Sequence, residues 1–184
     1  MRRKSEQIFV EWLVLGAQSG DSEALAELIK NLYPKLLRYA ARQLNNEDSA
    51  KDVVQNVFEV LSKDFRKVKD PAAFMAWVYQ ITHRKSIDYI RENQRRRTLR
   101  EHYEYENSIQ TIEPQSADVL ILDDLLRKLA PAQYQLVHLY YLEGFSVNEV
   151  ASILKVPNGT IKSRLFAVRQ QLTDLTGEKH HEKH

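Results

Sequence analysis

Apolar residues recur at intervals of three and four along almost the whole chain, and this spacing is the feature that most restricts its fold. The series from Leu25 to Leu37 and from Val53 to Leu61 show it clearly. No segment alternates apolar and polar residues as a half-buried strand does. The chain also has only five Gly and five Pro, so few positions interrupt a helix. The pattern predicts an all-α fold.

Short polar residues, proline and glycine indicate where the predicted helices begin and end. Asp21 precedes the first long apolar series, and Asn45-Asn46-Glu47-Asp48 is a predicted turn after it. Pro71 suits the first position of a helix that carries Phe74, Trp77, Val78 and Ile81. Gly144 suits a position just beyond a helix end.

The helical periodicity fades between about Asn93 and Asp118, where the chain is polar. Such a stretch between two periodic regions is typical of a linker between domains. We therefore predict two small helical domains. The predicted division is a first domain at 1–97, a linker at 98–117, a second domain at 118–176 and a disordered tail at 177–184.

Composition and motifs exclude several classes of function. The chain has no Cys, so it has no disulfide, thiolate zinc site or cysteine nucleophile, which fits a cytoplasmic protein. It has no Gly-rich phosphate loop, metal-ligand cluster or nucleophile and base constellation, so we predict neither an enzyme nor a cofactor. The terminal run with His180, His181 and His184 is predicted to be disordered rather than a metal site.

The N-terminal segment superficially imitates a signal peptide, with a basic start and a short apolar run. Glu11 interrupts that run, and no small-x-small cleavage site follows. We predict an amphipathic first helix and no membrane insertion.

The net charge of +2 hides a strongly basic stretch. His83 to Arg97 contains six Lys and Arg residues against Asp88 and Glu92. A local basic patch of this kind indicates a polyanionic partner.

The segment VNEVASILKVPNGTIKSRLFAVRQQL, from Val147 to Leu172, is predicted to form two helices with a break at Pro157-Asn158-Gly159. Ser146 and Glu149 have the spacing of a capping box at the start of the first helix. Each helix carries an apolar stripe. The stripes are Val147, Val150, Ala151 and Leu154 in the first helix, and Ile161, Leu165, Val168 and Leu172 in the second.

The face opposite the second stripe carries the residues of interest. At about 100° per residue, this face is formed by Gly159, Ser163, Phe166 and Gln170, with Lys162 and Arg169 on one flank. A major-groove recognition helix needs such a combination of close approach, hydrogen-bonding and apolar contact. The alternative is a helical hairpin in which Phe166 packs against another helix.

Three segments carry a family resemblance, and the last of them includes the predicted helix pair. AKDVVQNVFEVL and DPAAFMAWVYQITHRKSIDYIRENQRRR resemble region two of bacterial extracytoplasmic-function (ECF) sigma factors, and LAPAQYQLVHLYYLEGFSVNEVASILKVPNGTIKSRLFAVRQQL resembles their region four. The matches cover roughly Val14 to Arg97 and Val119 to Leu175, in the family's order. The loop in KDPAAF departs from the common FRG-type loop and is closer to the iron-uptake branch.

The resemblance implies a dissociable subunit that joins core RNA polymerase and directs it to a promoter. The implied partners are the beta-prime clamp helices, the beta flap, promoter DNA and an anti-sigma factor. The residues that match the clamp-binding surface are Asp52, Gln55, Asn56, Phe58 and Glu59. The alternative for this set is a solvated helix face with Phe58 in the core.

The resemblance also implies contacts with melted minus-ten DNA. Trp77 and Tyr79 supply aromatic surface, although the spacing of Trp77 favours the core, and base capture is assigned to the 65–70 loop that precedes the helix. The predicted minus-ten residues are Phe65, Arg66, Lys67, Lys69, Arg84, Lys85 and Arg91.

For the minus-35 element, Ala167 occupies a position that is often basic in the family, and Arg164 is assigned to a phosphate or an internal salt bridge. The predicted minus-35 residues are Asn158, Gly159, Thr160, Lys162, Ser163, Arg164, Phe166, Arg169 and Gln170. The competing hypothesis is a helix-turn-helix regulator that binds duplex DNA without polymerase.

Overall fold

The computed structural model describes residues 2–99, 126 and 128–181, with side chains for 5–96, 126 and 128–174. Every regular element in these ranges is helical, as predicted. The chain divides into two compact units, Met1–Gln110 and Thr111–His184. The boundary between them falls inside the interval predicted as a linker, most of which lies outside the described residues.

The first unit contains four long helices and two short 3₁₀ turns. The turns, Phe65–Lys67 and Pro71–Ala73, lie between the third and fourth helices. The helices are α1 (Arg2–Gln18), α2 (Ser22–Leu44), α3 (Glu47–Asp64) and α4 (Phe74–Leu99).

The helix ends follow the predicted polar signals. The Asp21 carboxylate accepts hydrogen bonds from the Glu23 and Ala24 amides at 2.9 and 3.1 Å. Asn45 ends α2 in the left-handed conformation with φ 53°, and the Asn46 side chain caps α3. These caps satisfy amides that the helices cannot pair internally.

The core of the first unit lies where α2 packs against α1, α3 and α4. Leu36, Val54 and Phe74 are fully buried there. Tyr39 and Tyr79 are also fully buried, and their rings meet edge to face at 5.3 Å. Tyr79 was predicted to supply aromatic surface; it is a core residue instead, because it follows Phe74 and Val78 onto the side of α4 that faces α2.

Helix α2 also differs from the prediction on one side. Leu28, Leu32 and Leu36 of its apolar series are buried, but Leu25 and Ile29 are 41% and 40% exposed. The apolar stripe of α2 is therefore wider than the surface that its neighbours cover.

The described part of the second unit consists of three short elements and one long helix. Its core includes Leu126, Leu129, Tyr134, Val137 and Val168, and we call these five residues the second core. The elements are α5 (Pro131–Val137), a π-helical turn (His138–Leu142), α6 (Val147–Leu154) and α7 (Asn158–His181). Gly144 follows the π turn with φ 77°, as a glycine at a helix end does.

Helix α7 continues to His181, so the structure differs from the predicted disordered tail over 177–181. A helix that packing has already nucleated can continue through a polar end, because adding a residue to an existing helix costs less than starting one. Residues 182–184 lie outside the described residues.

None of the helices in the described residues is both long enough and apolar enough to cross a membrane.

Gly16 provides a test of the packing between α1 and α2. A Cβ at Gly16 would lie 2.9 Å from the Cβ of Ala24. Gly16→Val should therefore destabilise the first unit by about 1–3 kcal/mol, the usual cost of overpacking. Both tryptophans, Trp12 and Trp77, belong to this unit, so urea unfolding followed by tryptophan fluorescence reports its stability alone.

Ala24→Gly supplies the control because it removes the opposing methyl group. The double variant should be less destabilised than the sum of the two single variants. Strictly additive effects would show that the contact between Gly16 and Ala24 does not limit the packing.

Candidate nucleic-acid interface

The helix-turn-helix of the second unit begins with the predicted capping box. The Ser146 amide donates to the Glu149 carboxylate at 2.8 Å, and the Glu149 amide donates to the Ser146 hydroxyl at 3.3 Å. Val150, Ala151 and Ile153 of α6 are then buried. The capping box fixes the first residue of α6 and with it the direction in which the helix enters the motif.

The break between α6 and α7 lies earlier than predicted. Lys155 takes the left-handed conformation with φ 55°, and the Ile161 amide donates to the Pro157 carbonyl at 3.2 Å. Asn158 and Gly159 already belong to α7. The reversal therefore depends on Lys155, and Gly159 is a helical glycine with no heavy atom within 4 Å of where its Cβ would be.

Helix α7 has the two faces that its sequence predicts. Ile161, Leu165 and Val168 are 0%, 3% and 1% exposed, and Leu172 is partly buried against the second core. Phe166, on the other side, is 63% exposed. The hairpin alternative, in which Phe166 packs against another helix, does not hold within the described residues.

The polar residues around Phe166 are also exposed. Lys162, Ser163, Arg164 and Gln170 all lie at the surface, and Thr160 is half-buried. The Ser163 hydroxyl donates to the Thr160 carbonyl at 3.1 Å. Arg164 has no salt bridge within the described residues.

Asn158 joins the two helices of the motif. Its side-chain amide donates to the Asn148 side-chain oxygen at 2.7 Å. The predicted minus-35 residue Asn158 is thus part of the link between α6 and α7 at the surface.

Arg169 has an intramolecular partner that the sequence did not reveal. Its Nε donates to the hydroxyl of Tyr141, and its guanidinium carbon lies 5.8 Å from the centre of the Tyr141 ring. The hydrogen bond to Tyr141 raises the pKa of Arg169. The two residues are 28 positions apart, so no local pattern pairs them.

A cavity of about 330 Å³ lies beside the loop to which base capture was assigned. It is open to solvent, and Lys67 pairs there with Asp64. The residues that line it are Asp64, Lys67, Val68, Lys69, Asp70, Ala73 and Trp77. Lys67 and Lys69 were predicted for this site, and the exposed Arg66 lies beside them in the chain.

Two aromatic residues of this region exchange their predicted positions. Phe65, predicted to contact DNA, is 8% exposed and meets Phe74 edge to face at 5.6 Å, so it supports the loop from inside. Trp77, whose spacing favoured the core, is half-exposed and lines the cavity. The reason is local: Trp77 lies on the first turn of α4, which extends over the loop.

Gln18 at the end of α1 holds this loop in place. Its side-chain amide donates to the carbonyls of Phe65 and Val68 at 3.2 and 2.7 Å. Sequence analysis did not identify Gln18, because a glutamine at the end of an amphipathic helix carries no distinguishing pattern.

The basic part of α4 is partly neutralised by its own carboxylates. Arg84 lies 3.8 Å from Asp88, and Arg96 lies 3.0 Å from Glu92. Lys85 is half-buried and Arg91 is exposed, and neither has a salt bridge within the described residues.

The surface of α3 that was predicted to bind polymerase is exposed as a group. Phe58 is half-buried and stacks on Tyr33 of α2, with the ring centres 6.4 Å apart. Beside it, Leu25 and Ile29 line a largely apolar groove of about 330 Å³. The exposed polar members are Asp52, Gln55, Asn56 and Glu59.

The described residues contain no cluster of three or more His, Cys, Asp or Glu side chains that could hold a metal ion. The side chains of His180, His181 and His184 lie outside the described residues.

The chain is similar to known proteins over most of its length. A family model described as ECF sigma factor matches residues 8–177. The chain is 25% identical over 181 residues to the ECF RNA polymerase sigma-E factor of Haemophilus influenzae, covering 91% of this chain and 95% of that protein. It is 24% identical over 186 residues to the ECF RNA polymerase sigma factor SigW of Bacillus subtilis, covering 92% and 100%.

Solved structures share the fold. The sigma factor RpoE of Bartonella quintana, in complex with the anti-sigma factor NepR, aligns with a TM-score of 0.68 at 23% identity over 83% of this chain and 96% of that one. CnrH, in complex with the cytosolic domain of CnrY, aligns with a TM-score of 0.59 at 24% identity over 92% and 98%.

Lys155 gives a test of the turn. A non-glycine residue in the left-handed region is strained, so Lys155→Gly should stabilise the second unit by about 0.5–1 kcal/mol. Lys162→Gly, in the exposed part of α7, should instead destabilise it by about 1 kcal/mol. Amide hydrogen exchange in α6 and α7 measures both effects locally. Equal destabilisation by both substitutions would contradict the role of Lys155 in the turn.

Proposed function

The chain belongs to the ECF sigma factor family, and from that premise we propose which of its surfaces perform each step of promoter recognition. It is an alternative sigma factor, which binds core RNA polymerase and directs promoter-specific transcription initiation. We propose that it acts as a non-enzymatic subunit in the cytoplasm, where polymerase and chromosome are found.

The observation that carries the DNA-binding proposal is the division of α7 into a buried and an exposed face. Ile161 and Leu165 are buried on one face of α7, which directs Phe166 and Ser163 outward. A helix fixed in this way can enter a major groove, where Phe166 contacts a thymine methyl group and Ser163 hydrogen-bonds a base edge. Gly159 lets the start of α7 approach the DNA closely because its surroundings are open.

The cavity beside the 65–70 loop is proposed to take an extruded base of the melted minus-ten element. Trp77 offers an aromatic surface for stacking, and a base stacked on an aromatic ring gains about 1–3 kcal/mol. Lys69, Lys85 and Arg91 are proposed to neutralise phosphates of the same strand. Phe65 has no part in base contact, since it is buried behind the loop.

The α3 surface is proposed to bind the clamp helices of polymerase. It combines the Tyr33 and Phe58 stack with a polar set around Gln55, and this mixture of an aromatic centre and a polar surround is typical of interfaces. Leu25 and Ile29 extend it across α2. Their exposure is costly in water, and an interface would remove that cost.

An anti-sigma factor and the beta flap are the further proposed partners. The two solved relatives are complexes with the anti-sigma factor NepR and with the cytosolic domain of CnrY. An inhibitor that covers the apolar groove of the first unit would compete directly with core polymerase. The second unit is proposed to reach the beta flap when it binds the minus-35 element.

The experiment that tests the function is run-off transcription with core RNA polymerase, with and without this chain, over a promoter library. We expect specific transcripts only when the chain is present. Specific binding to duplex DNA by the free chain, with no effect on polymerase, would instead support the helix-turn-helix regulator.

A substitution in the α3 surface tests polymerase binding. Gln55→Ala or Asp52→Ala should weaken binding to core polymerase, because each removes a polar contact of the interface, and should leave helicity intact. Gln7→Ala removes an exposed amide from α1 and serves as the matched control. A titration in which Gln55→Ala and Asp52→Ala bind as tightly as the control would remove this interface assignment.

Substitutions in α7 separate base reading from phosphate binding. Phe166→Ala or Ser163→Ala should change which minus-35 sequences holoenzyme selects, by roughly 1–3 kcal/mol for each lost contact. Arg164→Ala should weaken all sequences about equally. Selection from a randomised minus-35 library measures both. A changed preference with Arg164→Ala, and none with Phe166→Ala, would mean that a different face of α7 reads the bases.

A further inference from the structure

Arg169 is anchored at the surface by a neutral side chain rather than by a carboxylate. Its Nε donates to the Tyr141 hydroxyl, and the ring of Tyr141 lies 5.8 Å from the guanidinium carbon. No Asp or Glu of the described residues forms a salt bridge with it. The guanidinium is therefore held in position without being neutralised.

Other arginines of the chain show the contrast. Arg84 pairs with Asp88 and Arg96 pairs with Glu92, each one helical turn away. A carboxylate cancels the charge of its partner and weakens its attraction for an external anion. The Tyr141 hydroxyl is neutral, so its hydrogen bond restrains the guanidinium of Arg169 without cancelling the charge. That hydrogen bond also raises the pKa of Arg169, with a smaller contribution from Tyr140.

Tyr141 is itself fixed from two sides. Its ring is partly buried against the second core, and it meets the Tyr140 ring edge to face at 4.9 Å. It lies in the π-helical turn His138–Leu142, an element that is rare and often found at functional sites. The position of the Arg169 side chain is thus set before any ligand arrives, which lowers the entropy cost of binding one.

The remaining donors of Arg169 suit a phosphate. The bond to Tyr141 uses Nε, and the terminal nitrogens of a guanidinium carry further N–H groups of the kind that bind phosphate oxygens. Arg169 follows Phe166 by one turn of α7 and lies on the flank of the exposed face.

We propose that Tyr141 and Arg169 form a preset clamp for one backbone phosphate of the DNA that α7 reads, with Tyr141 as the positioning residue. The inference rests on the proposed function of α7. It adds a contact that is independent of sequence and that strengthens binding to every promoter equally. It also assigns a role to a tyrosine that lies outside the two helices of the motif.

The test uses holoenzyme made from core RNA polymerase and the full chain. The probe is the duplex that wild-type holoenzyme recovers from the randomised minus-35 library, and its dissociation constant is measured over a series of KCl concentrations. Differences between each variant and wild type cancel the salt dependence contributed by core polymerase. The variants are Tyr141→Phe, Arg169→Ala, Arg169→Lys and the double variant of Tyr141→Phe with Arg169→Ala.

Arg169→Ala should lower the slope of log affinity against log salt by about 0.9, the value for one phosphate contact. Tyr141→Phe keeps the ring and the arginine charge, so it should weaken binding about two- to tenfold, as one unrestrained side chain does, with the slope unchanged. Arg169→Lys should also retain the slope and lose affinity, because lysine has no Nε donor for Tyr141. In the Arg169→Ala background, Tyr141→Phe should have no further effect.

Tyr134→Phe is the matched control, because it removes a hydroxyl of the same unit that is bonded to His138 inside the core. An equal loss of affinity with Tyr134→Phe and Tyr141→Phe would show that Tyr141 only stabilises the fold and does not position Arg169. Tighter binding by Tyr141→Phe would mean that Tyr141 holds Arg169 away from DNA, and unchanged binding would also overturn the clamp. If wild-type holoenzyme selects no duplex, the proposed function fails and the clamp with it; if it does, these comparisons judge the clamp alone.

Discussion

The burial of one stripe of α7 is the constraint on which the DNA-facing surface depends. Ile161, Leu165 and Val168 are almost completely removed from water, and rotating the helix by one residue position would expose them. At about 1.5–3 kcal/mol for each fully buried aliphatic side chain, such a rotation would cost as much as a small unit has in total stability. Phe166 therefore faces solvent because the core leaves no other direction.

The same reasoning explains what the sequence could and could not predict. The caps at Asp21 and Ser146 and the phase of α7 follow from patterns within one helix, and they agree with the structure. The burial of Phe65 depends on its packing against α4, and the positions of Trp77 and Tyr79 depend on which neighbouring element covers each side of α4. Periodicity gives the direction of a side chain from its own helix, but it does not give the extent of the surface that packs there. The bond between Arg169 and Tyr141 is a tertiary contact of the same kind, so periodicity did not predict it either.

Some apolar residues of the first unit are exposed because the neighbouring helices cover only part of the apolar side of α2. Leu25, Ile29 and Tyr33 continue the apolar side of α2 beyond the area that α1, α3 and α4 occupy. A helix stripe wider than its own core leaves surface for a partner. A subunit that joins and leaves polymerase exposes this apolar surface to water while it is free. The polar residues Asp52, Gln55 and Glu59 lie beside the surface and help to keep it soluble.

The basic residues fall into two groups, according to whether a carboxylate lies close enough to pair with them. Paired residues stabilise helices, and the others keep their charge for DNA. Arg84 and Arg96 lie four residues from a carboxylate on α4, and such exposed pairs add only about 0.3–0.5 kcal/mol each to a helix. Arg91 and Arg164 have no salt bridge within the described residues, so their positive charge is retained at the surface. Arg169 is held in position and also keeps its charge, because the neutral Tyr141 side chain restrains it without cancelling that charge. The number of Lys and Arg residues in a sequence therefore overstates the positive charge that is available to bind DNA phosphates. Whether each residue is paired with a carboxylate decides how much it contributes to that binding.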